Sequence, residues 1–566
     1  MSQNRVQECD VLVIGAGAGG LSTAIVAAKH GLKVIVVEKA PVFGGTTAFS
    51  GGVLWIPGNK TCPAAAKDTR DAAVEYLKNE TGNFYNEEAV SAFLDNGPKM
   101  LDWFDRETDV KFVPTLYPDY HPNVGGGVDV GRSVLAKPFN VTALGRDMKR
   151  LRPPLATITF IGMMFNSSNA DLKHFFNATK SLKSAIYVAK RLGSHMMDLV
   201  KYGQGVEVTS GNALAARLAK SALDLGIPIL TSAPAKQLLI EGNAVKGAVV
   251  ATPEGEITIH ASRGTVLAAG GFPHDLKRLA KAYTHVARGG EHASPTPTDN
   301  TGDGVALAEQ VGGRCEIRLA APAAWMPVSL VPRGEGKFGV FPHLLDRYKP
   351  GVIAVNRRGR RFCNESESYH DVGAAMIATC EGEKETAAWL ICDHPTMRKY
   401  GLGYAKPAPV PIQAYISNGY VTRGKTLRDL AQQLGMNADG LEETIAHYNT
   451  DAVNGEDPEF GRGTTAFNRY LADPENKPNP CVAPIQQGPF YAVKMVMGDL
   501  GSFDGLTTDT IGRVLNQQDQ PIEGLYAVGN DRASMMGGNY PGAGITLGPI
   551  MTFGYIAGRH LAGVAE

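Results

Sequence analysis

The chain has no cysteine pair at metal-ligand spacing. Its seven cysteines, Cys9, Cys62, Cys315, Cys363, Cys380, Cys392 and Cys481, are scattered, odd in number and free of any Cys-x-x-Cys. That pattern argues against zinc or iron–sulfur ligation, so no metal site is expected, and it favours a reducing compartment. Net charge is also missing: 56 Lys+Arg balance 56 Asp+Glu, so there is no basic footprint for nucleic acid. No stretch reaches the ~18 consecutive apolar residues of a spanning helix. The first long apolar run, from Val11, meets a glycine cluster and not a signal-peptide cleavage pattern. A cytoplasmic protein is expected. Internal repeats and low-complexity runs are absent. What the chain has in excess is glycine, 66 of 566 residues against a usual ~7%. With no collagen period and no Gly/Ser linker, these glycines belong in tight turns beside a ligand.

The length suggests two to four domains. Asp10-Val-Leu-Val-Ile14 reads as a buried parallel strand, Gly15 to Gly20 as a turn, Leu21 to His30 as a helix closed by Gly31, and Val34 to Val37 as a second strand. This is a βαβ unit. Residues 70–108 read as helical and 111–135 as an irregular loop. Residues 210–275 return to an α/β pattern, with a helix from Asn212 to Leu225, a strand from Ile227 to Thr231, and Val266 to Ala269 ending at Gly270-Gly271. Residues 315–492 read as a domain inserted into a first domain made of 1–314 and 493–566. The fold class expected is α/β, a Rossmann-like cofactor domain with an inserted α+β catalytic domain. The section 141–201 stands apart, with ten basic residues against three acids and the apolar run Leu155 to Phe165. Two readings stay open for it: a helical insert packed on the core, or a membrane-surface contact or lid over an apolar substrate.

Gly15-Ala-Gly17-Ala-Gly-Gly20 fits G-x-G-x-x-G between strand and helix. The first glycine permits the turn, the second lets backbone approach a pyrophosphate, and the third lets helix and strand pack. Glu38 ends the second strand, where a ribose-binding carboxylate belongs, and Lys39 follows it. A second cluster, Gly44-Gly45-Thr46-Thr47-Ala48-Phe49-Ser50-Gly51-Gly52, offers amides and hydroxyls to a flat ring system. Thr301-Gly302-Asp303-Gly304 and Gly529-Asn530 complete a pattern that resembles the succinate dehydrogenase/fumarate reductase flavoprotein superfamily. The resemblance implies FAD, with Ala235, Gly270, Asp303, Gly529, Asn530, Gly544 and Leu547 among its contacts. The superfamily's covalent flavin histidine has no counterpart, because no histidine occurs between His30 and His121. FAD is therefore expected to be noncovalent.

Members acting on dicarboxylates use an arginine where this chain has Pro541. The segment Tyr540-Pro541-Gly-Ala-Gly544 instead resembles the 3-ketosteroid dehydrogenases. So do Asn364-Glu-Ser-Glu-Ser-Tyr369 and Tyr117-Pro-Asp-Tyr120-His121-Pro122. The Δ4-(5α) type carries serine where Gly542 stands, which favours the Δ1 type. By this resemblance Tyr540 O–H and Gly544 N–H bind a ketone oxygen as an oxyanion hole. Tyr369, hydrogen-bonded to Tyr120, takes the α proton, and flavin N5 receives hydride from the β carbon. His121 reads as a loop residue and His370-Asp371 as a local pair. The implied reaction is 1,2-desaturation of a 3-ketosteroid, with a quinone-type electron acceptor. A smaller cyclohexanone-type ketone, an enone or fumarate-like reductase, and a non-catalytic flavin carrier remain as alternatives.

Overall fold

A computed structural model describes residues 5–62, 68–165, 174–175 and 181–564. The chain opens with the strand Arg5–Ile14, the helix Ala18–Lys29 and the strand Val34–Val37. Val11, Leu12 and Val13 are fully buried, as expected of a parallel strand covered on both faces. Gly15 has φ +115°, and a Cβ there would meet the Ala268 carbonyl oxygen at 2.1 Å. The helix has no side-chain cap of its own. Thr47, from the second glycine cluster, accepts a hydrogen bond from Ala18 N at 3.1 Å instead.

The first sheet runs in the order Arg513–Leu515, Pro521–Ala527, Gly255–Leu267, Arg5–Ile14, Val34–Val37, Ile229–Leu230, with Ala244–Thr252 and Ala235–Glu241 added to it. Its centre is parallel. The helix Leu547–Leu561 returns to pack on Ala18–Lys29, where a Cβ at Gly558 would lie 2.8 Å from the Val26 side chain.

The second sheet is antiparallel, in the order Phe338–Pro342, Ala323–Pro332, Phe490–Ser502, Ala387–Cys392, Val352–Val355, with Thr422–Gly424 on Phe490–Ser502. The domain boundary expected at 493 cuts inside Phe490–Ser502. Residues on both sides of it pair with Ala387–Cys392, so the strand stays whole and the chain leaves this sheet after Ser502.

Two other readings change. The stretch 111–135 is not irregular throughout. Phe112–Pro114 and Ser133–Ala136 join Val53–Trp55 in a three-stranded sheet. The section 141–201 is not helical throughout either. Short 3₁₀ turns over Val141–Arg150 and Ala156–Ile158 precede one long helix, whose described span is Leu182–Tyr202. Residues 166–173 and 176–180 of that section lie outside the described residues. No helix among the described residues is long and apolar enough to cross a membrane.

Candidate active site

A cleft opens over the first βαβ turn. Gly15 and Gly17 line its floor, Glu38 and Lys39 one end, and Gly45, Thr46 and Thr47 a side. Ala235, Gly270, Asp303, Gly529 and Asn530 line it as well. Glu38 accepts from Ala16 N and Ala40 N, each at 2.9 Å. Burial pushes its carboxyl up against those two donors. Lys39 Nζ donates to Thr301 Oγ1 at 2.5 Å and Asp303 Oδ2 at 2.7 Å, closing that end.

Six expected cofactor residues do not line this cleft. Gly20 packs under the turn, where a Cβ would meet the Gly15 carbonyl oxygen at 2.0 Å. Ser50 Oγ donates to Thr47 O at 2.8 Å and accepts from Gly52 N at 3.1 Å, so it shapes the second cluster from within. Gly52 (φ +69°) abuts the Ser210 backbone, and Gly51 beside it is exposed. Gly544 and Leu547 stand at the start of the last helix, whose Ile550 reaches the cleft.

Sequence reading missed Arg152, Asp299 and Asn300, which also line the cleft. Arg152 Nη2 donates to Asp299 Oδ2 at 3.0 Å, while its buried Nε has no partner. A buried guanidinium donor without an acceptor carries a desolvation cost, which an anionic ligand in the cleft would relieve. Glycine backbone at a helix N-terminus, a buried carboxylate at the strand end and this unpaired donor fit a dinucleotide.

The three expected tyrosines meet. Tyr120 O–H lies 3.4 Å from Tyr369 Oη. The Tyr540 ring stacks on Tyr120, with centroids 5.6 Å apart and planes 13° apart, and stands edge-on to Tyr369 at 4.9 Å. Phe467 packs on Tyr120 at 4.4 Å. All three phenols are buried, and burial pushes each hydroxyl above its ordinary range. They are neutral at physiological pH, and the cluster holds no standing tyrosinate.

Their positions come from different devices. The Tyr120 loop is pinned at Asp119, whose carboxylate accepts from Trp55 Nε1 at 2.8 Å and Arg132 Nη1 at 2.7 Å. Arg132 also holds Asp68 at 2.7 Å in the same buried cluster. Burial raises Asp119 to about 6 despite Arg132. Tyr120 N donates to Pro541 O at 2.8 Å, and Tyr76 O–H donates to the same oxygen at 2.6 Å. Tyr369 is the first residue of the helix Tyr369–Thr379. Ser368 caps it by accepting from Asp371 N at 3.1 Å. Behind the cap, Arg361 and Arg462 clasp buried Glu365 at 2.8 and 3.1 Å. Gly544 has φ +94°, and a Cβ there would strike the Val53 carbonyl oxygen at 2.5 Å. Its carbonyl accepts from Trp55 N at 3.0 Å, while no described group accepts from its N–H.

His121 is more than a loop residue. Nδ1 lies 2.9 Å from Glu80 Oε2 and Nε2 lies 3.0 Å from Asp371 Oδ2. Burial opposes its charge, but hydrogen bonds to Asp371 and Glu80 prevail and raise it to about 11. The imidazolium therefore ties the Tyr120 loop to the helix of Tyr369. His370 is the opposite case: burial lowers it to about 4, and its Nδ1 accepts from Trp325 N at 3.1 Å.

Residues 10–547 match the family described as FAD binding domain. The chain is 42% identical to 4-oxocyclohex-2-ene-1-carboxylate 5-dehydrogenase of Sinomonas cyclohexanicum, over 100% of this chain and 96% of that protein. It is 37% identical to 3-oxosteroid 1-dehydrogenase of Mycolicibacterium smegmatis, over 99% and 98%. A crystal structure of 3-ketosteroid delta1-dehydrogenase from Sterolibacterium denitrificans, in complex with 1,4-androstadiene-3,17-dione, superposes with a TM-score of 0.89 at 36% identity. That match covers 98% of this chain and 100% of that one.

Proposed function

The chain belongs to the FAD-binding domain family, and from that premise we propose that it desaturates a cyclic ketone beside the carbonyl, with a 3-ketosteroid as substrate and the 1,2 bond as the site. It is an FAD-dependent dehydrogenase of the 3-oxosteroid 1-dehydrogenase type, acting on CH–CH bonds. The observation that carries the finer reading is the meeting of Tyr120, Tyr369 and Tyr540 from three distant stretches of chain.

Bound FAD supplies the hydride acceptor. Everything else falls to the protein. Tyr540 O–H and Gly544 N–H donate to the ketone oxygen and stabilise the charge that develops there as the α C–H is broken. The Tyr369 phenol first gives up its own proton to solvent base, Tyr120 O–H donates to the phenolate oxygen that results, and that phenolate takes the α proton and returns to a neutral phenol. Because burial holds the Tyr369 phenol neutral at rest, its phenolate is a minor population, and the polarised ketone makes the α carbon acidic enough for that population to act. Phe467 and the tyrosine rings keep water out. FAD is read as noncovalent because no histidine stands between His30 and His121, where the superfamily's covalent attachment falls. A quinone-type acceptor takes the electrons afterwards.

A cyclohexanone-type ketone is the second reading, favoured by the 42% identity to a dehydrogenase of an oxocyclohexene carboxylate. The test is anaerobic mixing of the yellow protein with 4-androstene-3,17-dione or 4-oxocyclohexanecarboxylate. Rapid bleaching by the steroid and slow bleaching by the acid supports the first reading. The reverse order replaces it with the second, and no bleaching by either overturns both.

A further inference from the structure

His370 directly follows the proposed base in the helix Tyr369–Thr379, and it is buried. The Tyr540 ring reaches across both residues. Its centroid lies 4.9 Å from that of Tyr369, edge-on, and 6.1 Å from that of His370, with planes 35° apart. Phe503 packs on both His370 and Tyr540, at 5.8 and 6.1 Å. With Tyr120 stacked on it at 5.6 Å, the Tyr540 ring has four rings around it. Two of the four belong to the proposed chemistry; His370 and Phe503 do not.

A break in a strand fixes the imidazole. Ala323–Pro332 pairs with Phe490–Ser502, but the register shifts between Ala323 and Trp325. A shifted ladder releases a main-chain donor from its strand partner, and a buried donor needs another acceptor. Trp325 N donates to His370 Nδ1 at 3.1 Å. Helix and strand are close here: a Cβ on Gly373 would stand 2.7 Å from Trp325 Cβ. The ring also meets the Gly538 backbone, two residues before Tyr540. Gly537 is held in turn, its carbonyl accepting from Ala320 N at 3.0 Å. One imidazole thus joins the helix of the base, a strand of the second sheet and the loop that carries Tyr540. The task needs a neutral ring, because a proton on Nδ1 would oppose the Trp325 N–H. Burial keeps it neutral, lowering His370 to about 4.

We propose that His370 is a positioning residue for Tyr540, holding that phenol against Tyr369 so that ketone donor and proton acceptor face one substrate. His370 acts through Tyr540 and not on the ketone. The tether to Trp325 sets the ring, and the ring sets the tilt of the phenol. With the imidazole withdrawn, Tyr540 gains room to turn, and a misplacement of about 1 Å costs on the order of 100-fold in rate. The inference rests on the ketone-desaturase reading of the site.

The test is a double-mutant cycle read by anaerobic bleaching of the holoenzyme, with 4-androstene-3,17-dione or, if that is the ketone that bleaches wild type, 4-oxocyclohexanecarboxylate. His370→Asn keeps an acceptor for Trp325 N and takes the ring away from Tyr540. Tyr540→Phe removes the hydroxyl being positioned. His370→Asn alone should bleach about 10- to 100-fold more slowly than wild type, with FAD still bound. In the Tyr540→Phe background the same change should slow bleaching by less than about 3-fold, because no donor is left to misplace. Bleaching of His370→Asn at the wild-type rate overturns the proposal. So does equal slowing in both backgrounds, the mark of a merely structural role. Should His370→Asn not retain FAD, His370→Phe, which keeps a ring and loses the acceptor, is read by the same two comparisons. Bleaching of Tyr540→Phe at the wild-type rate overturns the reading of the site itself, and this inference with it.

Discussion

The main-chain N–H of Tyr120 donates to the carbonyl of Pro541 at 2.8 Å, and the Asp119–Gly542 bridge beside it extends the pairing. Residues more than four hundred positions apart are thus laced together by backbone, so the ring of Tyr540 inherits its place from the loop that carries Tyr120. Proline at 541 keeps a carbonyl for this contact and needs no donor of its own.

Replacing Tyr369 with phenylalanine removes the proposed base and leaves its ring packing intact. Exchange of the substrate's α hydrogens with D₂O should fall by about 100-fold or more, measured by mass spectrometry with the flavin still bound. Exchange at the wild-type rate would assign the proton to another group.

The phenols also set a pH dependence. Burial raises Tyr369 well above its ordinary pKa of ~10. A base that is protonated at rest gains activity as hydroxide rises. The rate of the reductive half-reaction should therefore climb from pH 6 into the alkaline range. A stopped-flow profile that peaks near neutrality and then declines would contradict the tyrosine assignment.

His121 gives a stability signature of known sign. Its folded pKa, about 11, lies above the ordinary ~6.5. The charged clamp thus contributes fully below the unfolded value, and its contribution is lost as pH rises toward the folded one. His121→Gln should lower Tm most near pH 6 and progressively less by pH 9, and kcat should drop while bound FAD is unchanged. A Tm difference that does not vary with pH would mean that the imidazole serves only as filler.

Arg152→Met tests the cofactor cleft. The side chain keeps its bulk but loses the buried donor. FAD should bind about 10- to 100-fold more weakly, as expected for one charge-assisted hydrogen bond. Recovery of flavin fluorescence on dilution measures it.

Legibility in the sequence followed locality. The βαβ unit and its glycines are written in some thirty consecutive residues, and the structure forms them with helix ends shifted by a few positions. Tyr120, Tyr369 and Tyr540 were found through short motifs, although nothing in periodicity places them together. Arg152 and Asn300 carry no motif. Arg152 reaches the cleft because its neighbours Phe43 and Leu151 pair across 108 positions, and Asn300 because its amide donates to Thr46 at 2.8 Å. His121 escaped for the same reason: its partners Glu80 and Asp371 are distant in sequence. The boundary at 493 failed because one continuous strand, Phe490–Ser502, gives no turn signal where a division was expected.

The most direct measurement is anaerobic flavin bleaching by a 3-ketosteroid in wild type and in Tyr540→Phe. With one oxyanion donor removed, bleaching should slow by about 100- to 1,000-fold while the visible spectrum of bound FAD stays the same. Bleaching of the variant at the wild-type rate would contradict the account, because the ketone oxygen would then be held by something other than this phenol.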